Sequence, residues 1–193
     1  MTKIIADIDV DFGDRSKILS ILPHVIAARI ERGELKKHNT GIYLQDIPKN
    51  PINNIASIDF ETAESRGYFK IDFLNVNIYN EIKSEQHLND LMNKEPLWEL
   101  LLQKEFVDLL FHLKGHTDTL KKTCPTSVEQ LAAVLAMIRP AKRYLIGSDW
   151  TTIMKEIWTK PVDDGYYWKK SHAFAYAMAI VVHMNFLCEQ LKS

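Results

Sequence analysis

Cysteine is scarce in this chain. Cys124 and Cys188 are the two in 193 residues, far apart, with no C-x-x-C pair and no histidine at ligand spacing beside them. That pattern excludes a disulfide framework and a cysteine-based zinc site, and both read as reduced packing residues. No low-complexity tract, internal repeat or linker interrupts the sequence. No apolar run approaches the ~20 residues of a membrane span, and no basic end followed by an apolar stretch opens the chain. The expectation is a cytoplasmic protein without a membrane segment. Excess charge of one sign is missing too: 24 Lys and Arg stand against 25 Asp and Glu, a formal net charge of -1. Overall charge therefore does not hold nucleic acid here, and any such contact must be a local basic patch. What is present is an ordinary globular balance, 46% hydrophobic and 25% charged, long enough for one good core.

The pattern along the chain predicts an α+β fold. Ile4 to Asp11 reads as a strand, and Asp14-Arg15-Ser16 starts a short helix interrupted at Pro23. Val25 to Glu31 has apolar positions at helical spacing, with Gly33 ending that helix. Gly41 to Leu44, Ile55 to Phe60 and Tyr68 to Phe73 are short β-branched and aromatic runs that pair with the first strand in a small mixed or antiparallel sheet. After Asp72 the period becomes helical. Thr126-Ser127-Val128-Glu129 has the form of a capping box, Arg139-Pro140 ends the helix it opens, Ser148 to Trp158 forms a further short helix, and Ser171 to Leu191 is a long apolar helix. Residues 1–84 are thus expected to form a sheet subdomain and residues 85–193 a helical one, together one compact unit.

Chemistry concentrates first in Ala6-Asp7-Ile8-Asp9-Val10-Asp11-Phe12. On a strand, alternate residues share a face, so Asp7, Asp9 and Asp11 project one way while Ala6, Ile8 and Val10 point into the core. Carboxylates roughly 7 Å apart on one strand repel unless a cation or proton intervenes. A rigid carboxylate row therefore suits magnesium or manganese, which take oxygen ligands; a solvated strand face is the competing reading. A third carboxylate comes with equal plausibility from Asp59 or from Asp72, each of which also reads as a turn or cap residue. Lys70 shares a strand face with Asp72 and is a candidate phosphate contact. Lys37-His38-Asn39-Thr40-Gly41 reads as a basic, polar loop suited to phosphate or sugar oxygens. Tyr166 to His172 interleaves aromatics with cations at a helix start, where amides and lysines favour anions and rings stack on bases; a helix entry with snorkelling lysines is the alternative. Arg139, Lys142 and Arg143 read as a solvated cluster.

Taken in order, these segments resemble the C-family DNA polymerases, the catalytic alpha subunit of bacterial replicative DNA polymerase III. Ala6 to Phe12 looks like the palm motif P-D-[IF]-D-[IV]-D-F with alanine for proline. Lys37 to Tyr43 is similar to K-H-A-G-G-V-V, with one glycine replaced. Tyr68 to Leu74 resembles L-V-K-F-D-F-L, the strand bearing the family's third metal-binding aspartate. Leu110 to Gly115 is loosely similar to V-F-Q-L-E-S-x-G, and Ser127 to Pro140 is similar to F-E-D-[IL]-x-A-L-x-A-L-[YF]-R-P-G-P. Tyr167 to Ala177 looks like Y-x-F-N-K-S-H-[AS]-A-A-Y-A, the most specific match. The resemblance is collinear and covers nearly the whole chain.

The resemblance implies a remnant of a polymerase beta-like nucleotidyltransferase palm followed by a fingers-like half. It selects Asp72 over Asp59 and implies Asp7, Asp9 and Asp72 as catalytic ligands of two magnesium or manganese ions. Lys70, Lys37, His38, Arg139, Lys170, Ser171 and His172 would contact nucleotide or phosphate, and DNA and deoxynucleotides would be the ligands. The family's phosphoesterase-like domain, thumb, C-terminal DNA-binding modules and triphosphate-cradling Gly-Ser segment have no counterpart in the sequence. The expectation is accordingly a reduced, phage-encoded derivative acting in DNA replication, by metal-dependent nucleotidyl transfer or by binding nucleotides or a DNA end, either alone or completed by a partner chain. The rival is a non-catalytic replication or virion scaffold that keeps the fold.

Overall fold

The structure is a computed structural model that describes residues 8–161 and 167–191. The chain divides after Glu81 into two compact units, Met1–Glu81 and Ile82–Ser193. The architecture is α+β, a small mixed sheet and a helical half.

Among the described residues of the first unit, five strands form one sheet: β1 (Ile8–Phe12), β2 (Val25–Glu31), β3 (Glu34–Tyr43), β4 (Ile55–Asp59) and β5 (Ile71–Asn75). Their spatial order is β1-β5-β3-β2-β4. β1 runs parallel to β5, β5 antiparallel to β3, β3 antiparallel to β2, and β2 parallel to β4. The described residues of the unit also hold two short α-helices, α1 (Arg15–Ile21), capped by Asp14, and α2 (Phe60–Ser65), capped by Asp59, and a 3-10 helix at Asn77–Glu81. Val25, Ala27, Ala28, Tyr43, Ile47, Ala56 and Ala63 form the unit's core cluster. The aspartate strand is an edge strand, which is why Ile8 is 42% exposed rather than directed into the core.

Two further expectations fail in this unit. Val25 to Glu31 is a strand, not a helix: Arg32 and Gly33 both take left-handed backbone, φ 53° and 82°, and close a two-residue hairpin that pairs Glu31 with Glu34. Ladder pairing to β3 overrides the helical spacing of Val25, Ile26 and Ile30. The segment Lys37 to Gly41 is not a loop before a strand but lies inside β3. There the ladder jumps from Ile26↔Ile42 to Ala28↔Lys37, so His38 to Gly41 face the single residue Ala27 in a large bulge. Bulges of this kind re-aim side chains.

The second unit contains α3 (Glu85–Asn93), α4 (Lys104–Val107), α5 (Thr117–Thr123), α6 (Val128–Met137), α7 (Trp150–Glu156) and α8 (Lys170–Gln190). From Leu131 to Met137 α6 is buried all round, and it packs on α8, with Ala132, Ala133, Ala136, Ala173 and Ala177 all fully buried. The capping pair at its start lies one residue later than expected: Ser127 accepts from the Gln130 amide at 3.2 Å, and Gln130 Oε1 accepts from the Thr126 amide at 2.7 Å. Asn185, buried in α8, donates to the Leu91 and Lys94 carbonyls at 2.9 and 2.8 Å and so satisfies the end of α3. α8 also carries an 18-residue window of mean hydropathy 1.3, long and apolar enough to cross a membrane by length and composition alone. This corrects the expectation that no segment approaches that length; 56% of the window is buried within the protein.

Candidate active site on the aspartate sheet

Parallel pairing sets Asp9 of β1 opposite Asp72 of β5, and antiparallel pairing sets Gly41 of β3 opposite Asp72 on the other side. Paired residues share a sheet face, so a row of two carboxylates and one bare backbone position crosses three strands spaced ~4.8 Å apart. Asp7 lies outside the described residues. Asp59 spends its carboxylate on the α2 cap, accepting from the Glu61 and Thr62 amides at 3.1 and 3.0 Å. Asp11 stands two positions beyond Asp9; its charge, after burial, helps push the Tyr79 hydroxyl up to about 12.

Asp72 is the best-connected group of the row. Its Oδ1 accepts from Thr40 Oγ1 at 2.6 Å and its Oδ2 from the Lys70 ammonium. Burial alone would raise its pKa; the hydrogen bonds from Lys70 and Thr40 and the Lys70 charge outweigh that and hold it below the usual carboxylate range. His38 Nδ1 lies 3.7 Å from Asp72 Oδ1. This is not an ion pair, because the same nitrogen accepts the amide hydrogens of Gly41 at 2.8 Å and Thr40 at 3.3 Å. Burial, followed by the Lys70 charge, keeps the imidazole neutral below its ordinary range, and Arg29 and Arg15 add to the effect against the pull of Asp72. His38 is therefore the tautomer with its hydrogen on Nε2, a donor available to an acceptor oxygen.

The bulge makes this possible. It folds His38 over the amides of Thr40 and Gly41 and brings the Thr40 hydroxyl onto Asp72. The Phe60 ring closes one side, 5.5 Å from His38 and 5.9 Å from the Lys70 ammonium. Arg15 donates to the Phe73 carbonyl at 2.9 Å, on the same strand as Asp72. Lys37 is exposed on β3 opposite Ala28. The cation in contact with Asp72 is Lys70; Arg29, paired with Glu31 at 2.9 Å, and Arg15 act on His38 from farther away, and a lysine at this place suits a phosphate-bearing ligand. Thr40, Arg29 and Arg15 were not assigned to the site by the sequence. Thr40 lies inside the K-H-N-T-G segment, but its role depends on a register shift that no local pattern encodes. Among the described residues no group of three or more His, Cys, Asp or Glu side chains is placed to hold a metal ion; the pair Asp9 and Asp72 supplies the hard oxygen donors that magnesium or manganese takes.

The remaining assigned residues belong to the second unit. The Arg139 guanidinium stacks 3.8 Å from the Trp168 ring centroid, and Tyr176 stacks on the same indole at 5.0 Å and 27°. Trp168 is 5% exposed, so it is a packed ring rather than a platform for bases. His172 meets Trp168 and Tyr176 edge-on at 4.9 and 4.8 Å. Lys170, the first residue of α8, lies 3.6 Å from Glu129 Oε1 and 5.5 Å from the Phe174 ring. Ser171 is exposed. Lys142, read from sequence as solvated, is buried instead: its ammonium donates to the Glu156 carbonyl at 2.7 Å and Thr159 Oγ1 at 3.0 Å, capping the end of α7. Arg143 Nε likewise donates to the Ile138 carbonyl at 3.2 Å.

This cluster has a pH consequence. His112, at φ 60°, packs its ring against Tyr176 at 4.5 Å and Trp168 at 5.5 Å while one edge stays open to water. Desolvation of the ring, then Arg139 and His172, push its pKa down to about 4 from 6.5. The unfolded chain therefore binds this proton more readily than the folded one. Stability from His112 is complete above pH 6.5 and is lost as pH falls from 6.5 through about 4. In urea melts across that range, His112→Asn, which tolerates left-handed backbone, is expected to flatten the pH dependence.

No protein-family model matches the chain, and no curated protein matches it at significant similarity, so the reading of the site rests on its own residues.

Proposed function

We propose that the chain is a reduced C-family polymerase-like protein of DNA replication whose first unit performs metal-dependent nucleotidyl transfer on a DNA end, completed by a partner chain. The observation that carries this reading is the registered pair Asp9 and Asp72 on adjacent parallel strands, with Lys70 beside them. Asp9, Asp72 and, by the resemblance, Asp7 would hold magnesium or manganese, which lowers the pKa of an attacking hydroxyl and neutralises phosphate charge when bound. The chain's own residues supply the rest. Lys70 donates to a phosphate oxygen, His38 offers Nε2–H as a neutral donor, and Arg15 adds positive charge within reach of His38. Thr40 fixes the Asp72 carboxylate so that its free lone pairs keep one direction. The ligands are DNA and deoxynucleotides, and the compartment is the cytoplasm.

The test is incorporation of labelled deoxynucleotide into a primer-template in magnesium or manganese by the full chain, with and without Asp9→Asn and Asp72→Asn. Metal-dependent incorporation that falls to background in both variants is expected. No incorporation, together with no nucleotide binding that either variant removes, would sink the catalytic reading. A scaffold reading is favoured by one observation, that Trp168 is 5% exposed and packed with Arg139 and Tyr176 rather than open to a base. Under that reading both variants fold and bind DNA as the parent does.

A further inference from the structure

Both oxygens of Asp72 are taken, and they are taken by groups of different strength. Thr40 gives Oδ1 a neutral hydroxyl at 2.6 Å. Lys70 gives Oδ2 a full positive charge, and the two side chains keep only 19% and 13% of their surface exposed, so solvent screens the pair poorly. The lysine is also confined along its length. Its Cδ lies 2.7 Å from the point where a Cβ on Gly41 would stand, and its ammonium lies 5.9 Å from the Phe60 ring centroid. The ammonium is therefore seated on Asp72 by packing of its stem as well as by charge.

We propose, on the reading above that Asp9 and Asp72 are cation ligands, that Lys70 is a built-in competitor for that cation. The ammonium and a divalent cation claim the same Asp72 oxygen, and one must leave for the other to bind. Two like charges within ~4 Å of one carboxylate repel strongly at the low effective dielectric of a half-buried site. The displaced ammonium remains tethered at the same sheet face, where its next acceptor is a phosphate oxygen of the ligand. Cation binding and phosphate binding then support each other, because each is opposed by the Lys70 to Asp72 contact that the other removes. A bare cation would bind weakly and a cation with a phosphate ester tightly, which restrains the site from loading metal without substrate.

The experiment is a titration of the full chain with manganese alone, free Mn2+ being read by electron paramagnetic resonance. Lys70→Met, which keeps the apolar stem over Gly41, is expected to tighten Mn2+ binding by about tenfold or more. Lys70→Gln, which leaves a neutral donor for Asp72 should the first variant fold poorly, is expected to tighten it in the same direction. Manganese should also raise the melting temperature of either variant more than that of the parent. Affinity equal to or weaker than the parent's in both variants overturns the role of Lys70. The two readings separate through Asp9→Asn and Asp72→Asn: if these abolish parental Mn2+ binding while Lys70→Met and Lys70→Gln change nothing, only the competitor role falls. If neither the parent nor Lys70→Met shows binding that the aspartate variants remove, the cation site itself falls and the competitor with it.

Discussion

Leu135→Ala is expected to lower the stability of the helical unit by about 3 to 4 kcal/mol, the middle of the range for a buried leucine. Leu135 is fully buried in α6, a helix whose residues from Leu131 to Met137 are all without solvent contact. α6 is held by α8, by α5 and by the turn Pro140–Leu145. With neighbours on every side already in contact, little can collapse into the space left by an isobutyl group, and the cavity term adds to the lost transfer energy. Urea denaturation reads the result as a lower midpoint at unchanged slope. Leu109→Ala, at a side chain 60% exposed, is the control and should stay within about 0.5 kcal/mol. A loss below about 1.5 kcal/mol for Leu135→Ala would mean that α6 is not the centre of this core.

Gly41→Val is expected to lower the stability of the first unit by about 2 kcal/mol and to disturb the aspartate site more than its stability cost implies. The reason is steric and not conformational, since Gly41 does not take left-handed backbone. A Cβ there would stand 2.7 Å from Lys70 Cδ, 2.9 Å from His38 Nδ1 and 3.1 Å from Ala27 Cβ. Lys70 would have to leave Asp72, and His38 would lose the Gly41 amide it accepts. Chemical shifts of the Gly41 and Thr40 amides and of the Lys70 ammonium report that loss directly. Gly33→Ala makes the contrast: its φ of 82° strains the hairpin, but nothing lies within 4 Å, so the site should be unchanged. Normal Lys70 and His38 signals in Gly41→Val would show that the bare backbone position is not what seats them.

The glycine also shows why part of the site was legible and part was not. Asp9, Asp72 and Lys70 stand out in sequence because charged residues alternating with apolar ones have a strand period, and His38 because it sits in a basic, polar run. Their number and type announce a carboxylate and phosphate chemistry. Thr40 and Arg29 do not stand out, because their places depend on the bulge between Lys37 and Ile42, which is a relation between two strands. The same is true of Asp59. Ile58-Asp59-Phe60 and Ile71-Asp72-Phe73 look alike as local strings; the resemblance implies Asp72, and the fold gives the physical difference, one being the cap of α2 and the other the neighbour of Asp9. Lys142 was misread for a related reason. A lysine in a run of cations is usually solvated, and what buries this one is a pair of acceptors at the end of α7, 14 and 17 residues away.

What the sequence by itself determined is the division of labour along the chain: a strand-period half bearing alternating aspartates, then a helical half with a capped apolar helix and a long terminal one. Hydrophobic period and cap chemistry are local, so they survive without coordinates. What only the tertiary structure decided is the partner of every functional group. The Arg32-Gly33 turn converts a helical spacing into a hairpin, the bulge in β3 turns His38 inward to the amides of Thr40 and Gly41, and strand order sets Asp72 between Asp9 and Gly41. The strand order joins residues distant in sequence, and the turn and the bulge lie within one hairpin, but all three are set by the summed energy of strand pairing and not by any one segment's preference.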